Sequence, residues 1–357
     1  MPAATRIAAL AACVLLTPTP AAAQAPRAAR LDSLEAIAAT DSSDPQAHFR
    51  LALGYWDVKR LDDAERELRR AVAIDPHYAS ALLGLSYLPY SRRPSLLKEV
   101  TKGKVPAEFT NAVAESRELR RRAIMIDPFA RVGGKVEIVF MPAWAREPIP
   151  EKQLAKMPTE FFWVRGMYLA LGSEYPDALA DLETVLQRLE AAKDSTQNGL
   201  IPLVANEVRY VMAVIEIQAG RTAPAVRRLE EVLTHDVGLY MAHSRLADIH
   251  ERNGRYSAAV TERRRALEGD PDDSMLLYKL GSTLARANLP RAADTAFTRA
   301  MELNALNAGY ARMAGLVRHA SGDTARARVA YERFLALAPG AGTRDAAEVR
   351  RKLTELD

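Results

Sequence analysis

The chain has 357 residues, of which 48% are hydrophobic and only 6% aromatic, so it carries enough apolar surface for a large core. Alanine, leucine and arginine dominate the composition, which favours closely packed helices over sheets because small side chains let helix axes approach each other. The formal charge of +4 comes mainly from arginine, but the basic runs at 120–122, 227–228 and 263–265 are interspersed with glutamate. We interpret these runs as solvated helix faces and expect no nucleic-acid binding.

The first 23 residues have the features of a secretory signal peptide. Arg6 precedes an apolar run over 7–16, and small residues at 21–23 follow two prolines. The apolar run is too short to span a bilayer, and no later stretch approaches the ~20 apolar residues that a transmembrane helix needs. The sequence therefore predicts an exported protein, periplasmic or secreted, with no transmembrane segment.

Cys13 is the only cysteine and leaves an alternative open for the N-terminus. The run Leu10-Ala11-Ala12-Cys13 resembles a bacterial lipobox, in which the cysteine becomes the lipidated first residue. Apolar residues at 14–16 follow directly, which suits the middle of a signal peptide better than the polar tether of a lipoprotein. We therefore favour plain cleavage near Ala23, and a lipid anchor on Cys13 is the alternative. Plain cleavage leaves no cysteine, which excludes disulfides and thiolate chemistry.

Two segments of the chain nearly duplicate each other. Residues 64–76 read AERELRRAVAIDP, and residues 114–128 read AESRELRRRAIMIDP. Both resemble the second helix and closing turn of a tetratricopeptide repeat, a helix-turn-helix unit of 34 residues. The resemblance implies an all-α fold, a right-handed solenoid of about seven repeats with an insertion after the second and a C-terminal capping helix.

The predicted organisation follows the chain in order. It comprises a signal peptide (1–23), an N-terminal capping segment (24–44), units 1 and 2 with the second split by an insertion (45–128), an insertion (129–158), unit 3 (159–192), a linker (193–205), four contiguous units (206–341) and a C-terminal capping helix (342–357). Alanine recurs at the twentieth position of the four contiguous units, at Ala225, Ala259, Ala293 and Ala327. The eighth position, where the two helices of a repeat come closest, holds only small residues, Ala213, Ala247, Gly281 and Gly315.

No motif for catalysis or metal binding is present in the sequence. The metalloprotease, nucleophile-elbow and phosphate-loop patterns are absent. His243 and His250 share a helix face, but they occupy repeat positions that pack between helices, so we interpret them as structural rather than as metal ligands. Asp270, Asp272 and Asp273 flank a closing-turn proline, which indicates helix capping rather than a calcium loop. We therefore expect no enzymatic activity, no cofactor and no bound metal.

The family resemblance places the binding surface on the concave face, at fixed positions of the first helix of each repeat. The candidate partner-binding residues are Phe49, Leu53, Trp56, Tyr87, Tyr90, Trp163, Met167, Tyr210, Arg252, Tyr278, Arg286 and Arg312. This surface changes from aromatic near the N-terminus to polar and arginine-bearing near the C-terminus. Apolar anchors suit an extended or helical peptide, and the arginines suit carboxylates, so the expected partner is a protein or peptide.

Each half of this surface has an alternative interpretation. Residues 129–158 include a strand-like stretch at 135–142 and are able to cover the aromatic end, because large exposed apolar patches are rare on soluble proteins. Neighbours such as Glu251 or Asp248 are able to neutralise the arginines, because charges commonly pair along helices.

These patterns together favour a non-enzymatic scaffold or adaptor of the cell envelope. Two alternatives remain. One is an enzyme or saccharide-processing factor with its site in 79–158, the part that the resemblance does not explain. The other is a helper subunit that docks on an envelope enzyme. Residues 79–158 contain no histidine and no cysteine, which makes a catalytic site there the weaker hypothesis.

The signal-peptide interpretation predicts that the exported chain begins near Gln24. Intact-mass measurement of the protein from its native host tests this directly, because leader-peptidase cleavage after small residues leaves an unmodified N-terminus. An acylated Cys13 at the N-terminus would contradict the prediction and would tether the protein to a membrane.

Overall fold

The computed structural model describes residues 25–101, 105–132, 150–154, 156–192, 204–236, 239–338 and 344–356. Over these residues the chain forms 18 α-helices and one 3-10 turn, and it contains no β-strand, so the all-α prediction is confirmed. The proposed signal peptide, Cys13 and the strand-like stretch at 135–142 lie outside the described residues. None of the described helices is both long enough and apolar enough to cross a membrane.

The helices alternate with short turns along the whole chain. In order, they are α1 (Ala25–Thr40), α2 (Pro45–Asp57), α3 (Leu61–Ile74), α4 (Ala79–Arg92), α5 (Pro94–Thr101), α6 (Thr110–Ile126), α7 (Glu151–Leu154), α8 (Thr159–Leu171), α9 (Tyr175–Ala192), α10 (Ala205–Gln218), α11 (Thr222–His235), α12 (Tyr240–Arg252), α13 (Tyr256–Gly269), α14 (Ser274–Arg286), α15 (Pro290–Leu303), α16 (Ala308–Ala320), α17 (Thr324–Leu337) and α18 (Arg344–Thr354). The 3-10 turn, Ala107–Phe109, precedes α6.

The chain divides into two compact units. The first, here called the middle unit, contains the described residues of 82–237. The second, here called the composite unit, joins two separate parts of the chain, the described residues of 20–81 and of 238–357. The first repeat, at the N-terminal side of the sequence, therefore shares one compact body with the last repeats.

Pairs of consecutive helices pack against each other to form the repeats. In the composite unit these pairs are α2 with α3, α12 with α13, α14 with α15, and α16 with α17. In the middle unit α8 pairs with α9, and α10 pairs with α11. The insertion after α4 contains a helix of its own, since Leu96 and Val100 of α5 are buried against Tyr90 and Val113.

Both ends of the composite unit carry a capping helix. At the C-terminus, α18 packs on α17 and buries Ala346 and Val349 in the same core as the preceding repeats. At the N-terminus, α1 packs on α2 and buries Leu31 and Ala38. Ile37, which we expected on the packed face of α1, is about half exposed.

The turn between the two helices of a repeat recurs with the same backbone geometry. Its fifteenth residue has a positive φ in six repeats, at Lys59, Ser173, Gly220, Gly254, Asn288 and Gly322, with φ between 59° and 78°. Glycine adopts this left-handed conformation without steric cost, whereas other residues are strained in it. The spacing shows that these six repeats share one 34-residue register.

The two helices of a repeat come closest where the eighth position faces the twenty-fourth. A methyl group on Gly281 would lie 2.8 Å from the ring of Phe297, and one on Gly315 would lie 2.5 Å from the ring of Tyr331. Both distances are below van der Waals contact, and both rings are fully buried. Glycine is therefore required at these two positions by the large aromatic side chain opposite.

This pairing predicts the stability of variants at Gly281. Gly281→Ala should destabilise the protein by about 1–3 kcal/mol, because the added methyl group forces the Phe297 ring out of its place. The double variant Gly281→Ala, Phe297→Leu copies the Ala213 and Leu229 combination of another repeat. It should lose less stability than the sum of the two single changes.

Denaturant unfolding measures these differences. Arg264→Ala is the control, because Arg264 is exposed and its substitution should change stability by no more than about 0.5 kcal/mol. Strictly additive losses in the double variant would show that the two positions do not constrain each other.

Candidate functional site

One buried arginine organises the polar residues of α12 and α14. The guanidinium of Arg263, on α13, donates to the carbonyl oxygen and the hydroxyl of Ser244 at 3.1 and 2.9 Å, and to the hydroxyl of Thr283 at 3.3 Å. It also pairs with the carboxylate of Asp248 and, at 3.5 Å, with that of Glu251. Thr283 in turn donates its hydroxyl hydrogen to Glu251. Arg263 therefore ties three helices from two neighbouring repeats together.

The repeat pattern explains how an arginine comes to lie in the core. Arg263 stands at the twenty-fourth position, where the other contiguous repeats have Leu229, Phe297 and Tyr331. Its aliphatic stem fills the space opposite the small residue Ala247, while its charged head extends to the polar side chains of the first helices. The interpretation of 263–265 as a wholly solvated face is therefore wrong at Arg263, which is only 4% exposed.

Arg286 extends this network towards solvent. Its guanidinium lies 3.2 Å from the second carboxylate oxygen of Glu251, and its side chain remains 62% exposed. We call the group formed by Ser244, Asp248, Glu251, Arg263, Thr283 and Arg286 the Arg263 cluster. Arg252 lies at its edge and is exposed, with its Nε 3.4 Å from the carbonyl oxygen of Asp248.

Arg312 has a different role from the one we expected. It pairs with Asp345 at 3.3 Å and with Glu348 at 3.5 Å, and both carboxylates belong to the capping helix α18. Neutralisation by neighbours therefore applies to Arg286 and Arg312, through Glu251 in the first case and through the capping helix in the second.

Positive charge predominates around the Arg263 cluster. Burial lowers the pKa of the Lys279 amine on α14, with the nearby charge of Asp248 opposing this shift and that of Arg263 adding to it. The cations Arg245, Arg252, Arg263, Lys279 and Arg286 outnumber the carboxylates Asp248 and Glu251. An additional anion would therefore be stabilised at this surface.

The structure supports the structural interpretation of two polar groups. Nδ1 of His243 lies 2.7 Å from Glu262, and this bond lowers the pKa of the Glu262 carboxyl although burial opposes the shift. The carboxylate of Asp273 accepts from the backbone N–H groups of Met275 and Leu276, so Asp273 caps α14 as predicted. In the part of the chain that the structure describes, no three His, Cys, Asp or Glu side chains gather as a metal site.

Most of the aromatic and apolar candidates lie in the interior. The buried ones are Phe49, Trp56, Tyr90, Trp163, Met167 and Tyr210, and the partly buried ones are Leu53, Tyr87 and Tyr278. The hydroxyl of Tyr210 donates to the carbonyl oxygen of Met125 at 2.6 Å. Phe49 packs edge-on against Tyr78, with ring centroids 5.5 Å apart. These side chains make internal contacts, which leaves the polar candidates as the accessible ones.

A second buried arginine covers the aromatic residues of α4. The guanidinium carbon of Arg120 lies 5.0 Å from the ring centroid of Tyr87 and 5.9 Å from that of Tyr90. Burial raises the pKa of Tyr87 to about 12, and the Arg120 charge opposes this shift. The interpretation of 120–122 as a solvated face is wrong at Arg120, because the ring faces attract its charge. Residues 133–149, within the cover we expected, lie outside the described residues.

Comparison with known families and structures identifies the repeats. Residues 45–78 and 210–274 each match a family model described as tetratricopeptide repeat, so the chain contains repeats of this type. Protein O-mannosyl-transferase TMTC1 of Homo sapiens is 26% identical over 203 residues, which are 56% of this chain and 22% of that protein. The chain thus spans about a fifth of the length of this curated relative.

Two solved structures show the range of structural similarity. The C-terminal part of a TPR repeat-containing protein from Cytophaga hutchinsonii is 14% identical and has a TM-score of 0.47, with 58% of this chain and 86% of that chain covered. YrrB, described as a TPR protein with an unusual peptide-binding site, is 17% identical with a TM-score of 0.41, covering 56% and 95% of the two chains.

The Arg263 cluster predicts a stability difference between two arginines. Arg263→Leu, which copies Leu229 of another repeat, should cost about 1–3 kcal/mol, because it leaves Glu251 and Thr283 without a buried donor. Arg252→Ala should be nearly silent, because Arg252 is exposed. Urea unfolding of both variants compares them. An Arg263→Leu protein as stable as wild type would show that leucine packing offsets the lost network.

Proposed function

We propose that this protein is a non-enzymatic scaffold that binds a partner protein or peptide at the surface formed by the Arg263 cluster, Arg252 and Lys279. The observation that carries this proposal is an exposed arginine pair, Arg252 and Arg286, beside a network of polar groups that is fixed by buried hydrogen bonds. Tetratricopeptide repeats support a role in protein interaction, because their first helices present one side chain after another along a continuous surface.

The chemistry of this surface indicates a partner that carries carboxylates. Arg286 shares Glu251 with Arg263, so its charge is only partly neutralised, and most of its side chain is in contact with water. A guanidinium binds a carboxylate through two parallel hydrogen bonds, a geometry that lysine cannot provide. Because the neighbouring groups are already held in place, little side-chain freedom is lost when the partner binds.

We further propose that the protein acts in the cell envelope, in the periplasm or after secretion. The support for this is the sequence of the first 23 residues, which has the pattern of a signal peptide. A lipid anchor on Cys13 is the alternative for the N-terminus.

A helper or saccharide-processing role is the second candidate. It is favoured by the partial similarity to Protein O-mannosyl-transferase TMTC1, of which the matched region is 22%. Its proposed location, 79–158, does not strengthen it, because Glu99 and Glu108 in the described part of that segment both pair with Arg93. Docking on such an enzyme would still use the scaffold surface described above.

Charge reversal tests the proposed surface. The variant Arg252→Glu, Arg286→Glu should reduce capture of envelope proteins by about tenfold or more, because two carboxylate-binding groups become repulsive. The matched control is Arg255→Glu, Arg264→Glu, which makes the same charge change at two other exposed positions of the composite unit. Quantitative mass spectrometry of captured proteins measures the difference.

The control separates specific binding from overall charge. Equal loss in both variants would show that net charge rather than this surface holds the partners. An unchanged partner list in the Arg252→Glu, Arg286→Glu variant would place the binding site elsewhere on the chain.

A further inference from the structure

The last turn of α3 is bound by side chains from the far end of the sequence. The side-chain amide of Asn304 donates to the carbonyl oxygens of Ala73 and Ile74, at 3.0 and 2.9 Å. The amide of Asn307 donates to the carbonyl oxygen of Ile74 at 3.1 Å. All four residues belong to the composite unit. These carbonyl groups lie at the C-terminal end of a helix, where intrahelical donors are missing.

A second contact follows three residues beyond Ile74. Nε2 of His77 lies 2.5 Å from a carboxylate oxygen of Asp273, and both side chains are only 7% exposed. Burial raises the pKa of Asp273, but the His77 contact and two backbone N–H groups outweigh it, so the pKa lies below its usual value. Asp273 is therefore held ionised as an acceptor for an N–H donor.

The receiving side chains are oriented by their own repeats. Oδ1 of Asn304 accepts from the backbone N–H of Leu306 at 3.1 Å, and Oδ1 of Asn307 accepts from that of Gly309 at 3.0 Å. These local bonds use the oxygen of each amide and direct its NH2 group towards α3. The geometry of the receiving groups thus depends on local hydrogen bonds as well as on the helix that they bind.

The sequence distinguishes this repeat from its neighbours. Asn304 occupies the thirty-first position, where other repeats have Asp75, Asp236 and Asp270. A carboxylate at this position accepts hydrogen bonds but has no hydrogen to donate, so aspartate would repel the carbonyl oxygens of α3. The closing turn of the repeat accepts either residue, whereas the contact to α3 requires asparagine.

We propose that Asp273, Asn304 and Asn307 form a receptor for the C-terminal end of an α-helix that is followed by a side-chain N–H donor. The first repeat occupies this receptor in cis through α3 and His77. A partner helix with the same ending occupies it in trans, in competition with the first repeat. This receptor is independent of the Arg263 cluster, so it stands or falls separately from the proposed scaffold surface.

Hydrogen exchange in the full-length protein tests the contact in cis. The variant Asn304→Asp, Asn307→Asp keeps both local acceptors and removes both donors to α3. Amides of residues 70–78 should exchange about tenfold faster or more than in wild type, because local opening of the α3 end becomes easier. The control is Asn253→Asp, whose amide donates only within α12, to Ile249 at 3.0 Å. Unchanged exchange of residues 70–78 in the double variant would overturn the proposal.

Peptide binding tests occupation in trans, and the chain supplies its own control peptide. His77→Phe in the full-length protein removes the N–H donor of the first repeat and leaves the receptor intact. A labelled peptide of residues 61–78 should bind this variant about tenfold more tightly than wild type, because the competitor in cis is weakened. A peptide of residues 111–130 also ends in Ile-Asp-Pro but has Phe129 in place of His77, and it should bind about tenfold more weakly.

Two results of this experiment would contradict a receptor. One is equal binding of the 61–78 and 111–130 peptides to the His77→Phe variant. The other is undiminished binding of the 61–78 peptide when Asn304→Asp and Asn307→Asp are added to that variant. Circular dichroism of each variant confirms that the helices are retained, so that loss of binding reports on the receptor.

Discussion

The close approach of the two helices within each repeat is the constraint on which the rest of the structure depends. At Gly281 and Gly315 the eighth residue has no side chain, because an aromatic ring from the twenty-fourth position fills that space. Where Ala247 is the small residue, the twenty-fourth residue is Arg263 instead of an aromatic one. Its stem takes over the packing role, and its head turns the interior contact into a polar cluster. A packing position thus becomes the source of the candidate binding surface.

The sequence predicts the local features of this fold well. Helix pairs, the small residues of the eighth position, the capping role of Asp273 and the capping helix α18 all depend on residues that lie within one or two repeats of each other. Their periodicity is visible in the sequence because each repeat must bury the same stripe of side chains. Arg120 and Arg263 escape this reasoning. Both lie in arginine runs typical of solvated faces, and only the placement of Tyr87 and Ser244 beside them shows that they are buried.

Contacts between distant repeats were beyond what the sequence could predict. His77 and Asp273 are 196 residues apart, and each also fits an ordinary closing turn or helix cap. The one sequence signal is Asn304 at a position that is otherwise aspartate, and it acquires a meaning only when α3 is seen against it. The first repeat therefore contributes to the stability of the composite unit as well as to its own helix pair, because separating it would leave buried donors and acceptors unpaired. This coupling and the Arg263 cluster give the composite unit two polar surfaces with different chemistry.

The central functional claim is that partners bind at the Arg263 cluster and at its exposed neighbours. Site-specific photo-crosslinking in the native host tests it most directly, with a benzophenone side chain placed at residue 252 in one protein and at the exposed residue 264 in another. The account predicts a discrete cross-linked partner from residue 252 and none from residue 264. Cross-links from residue 264 alone would place the partner on the opposite face and would contradict the account.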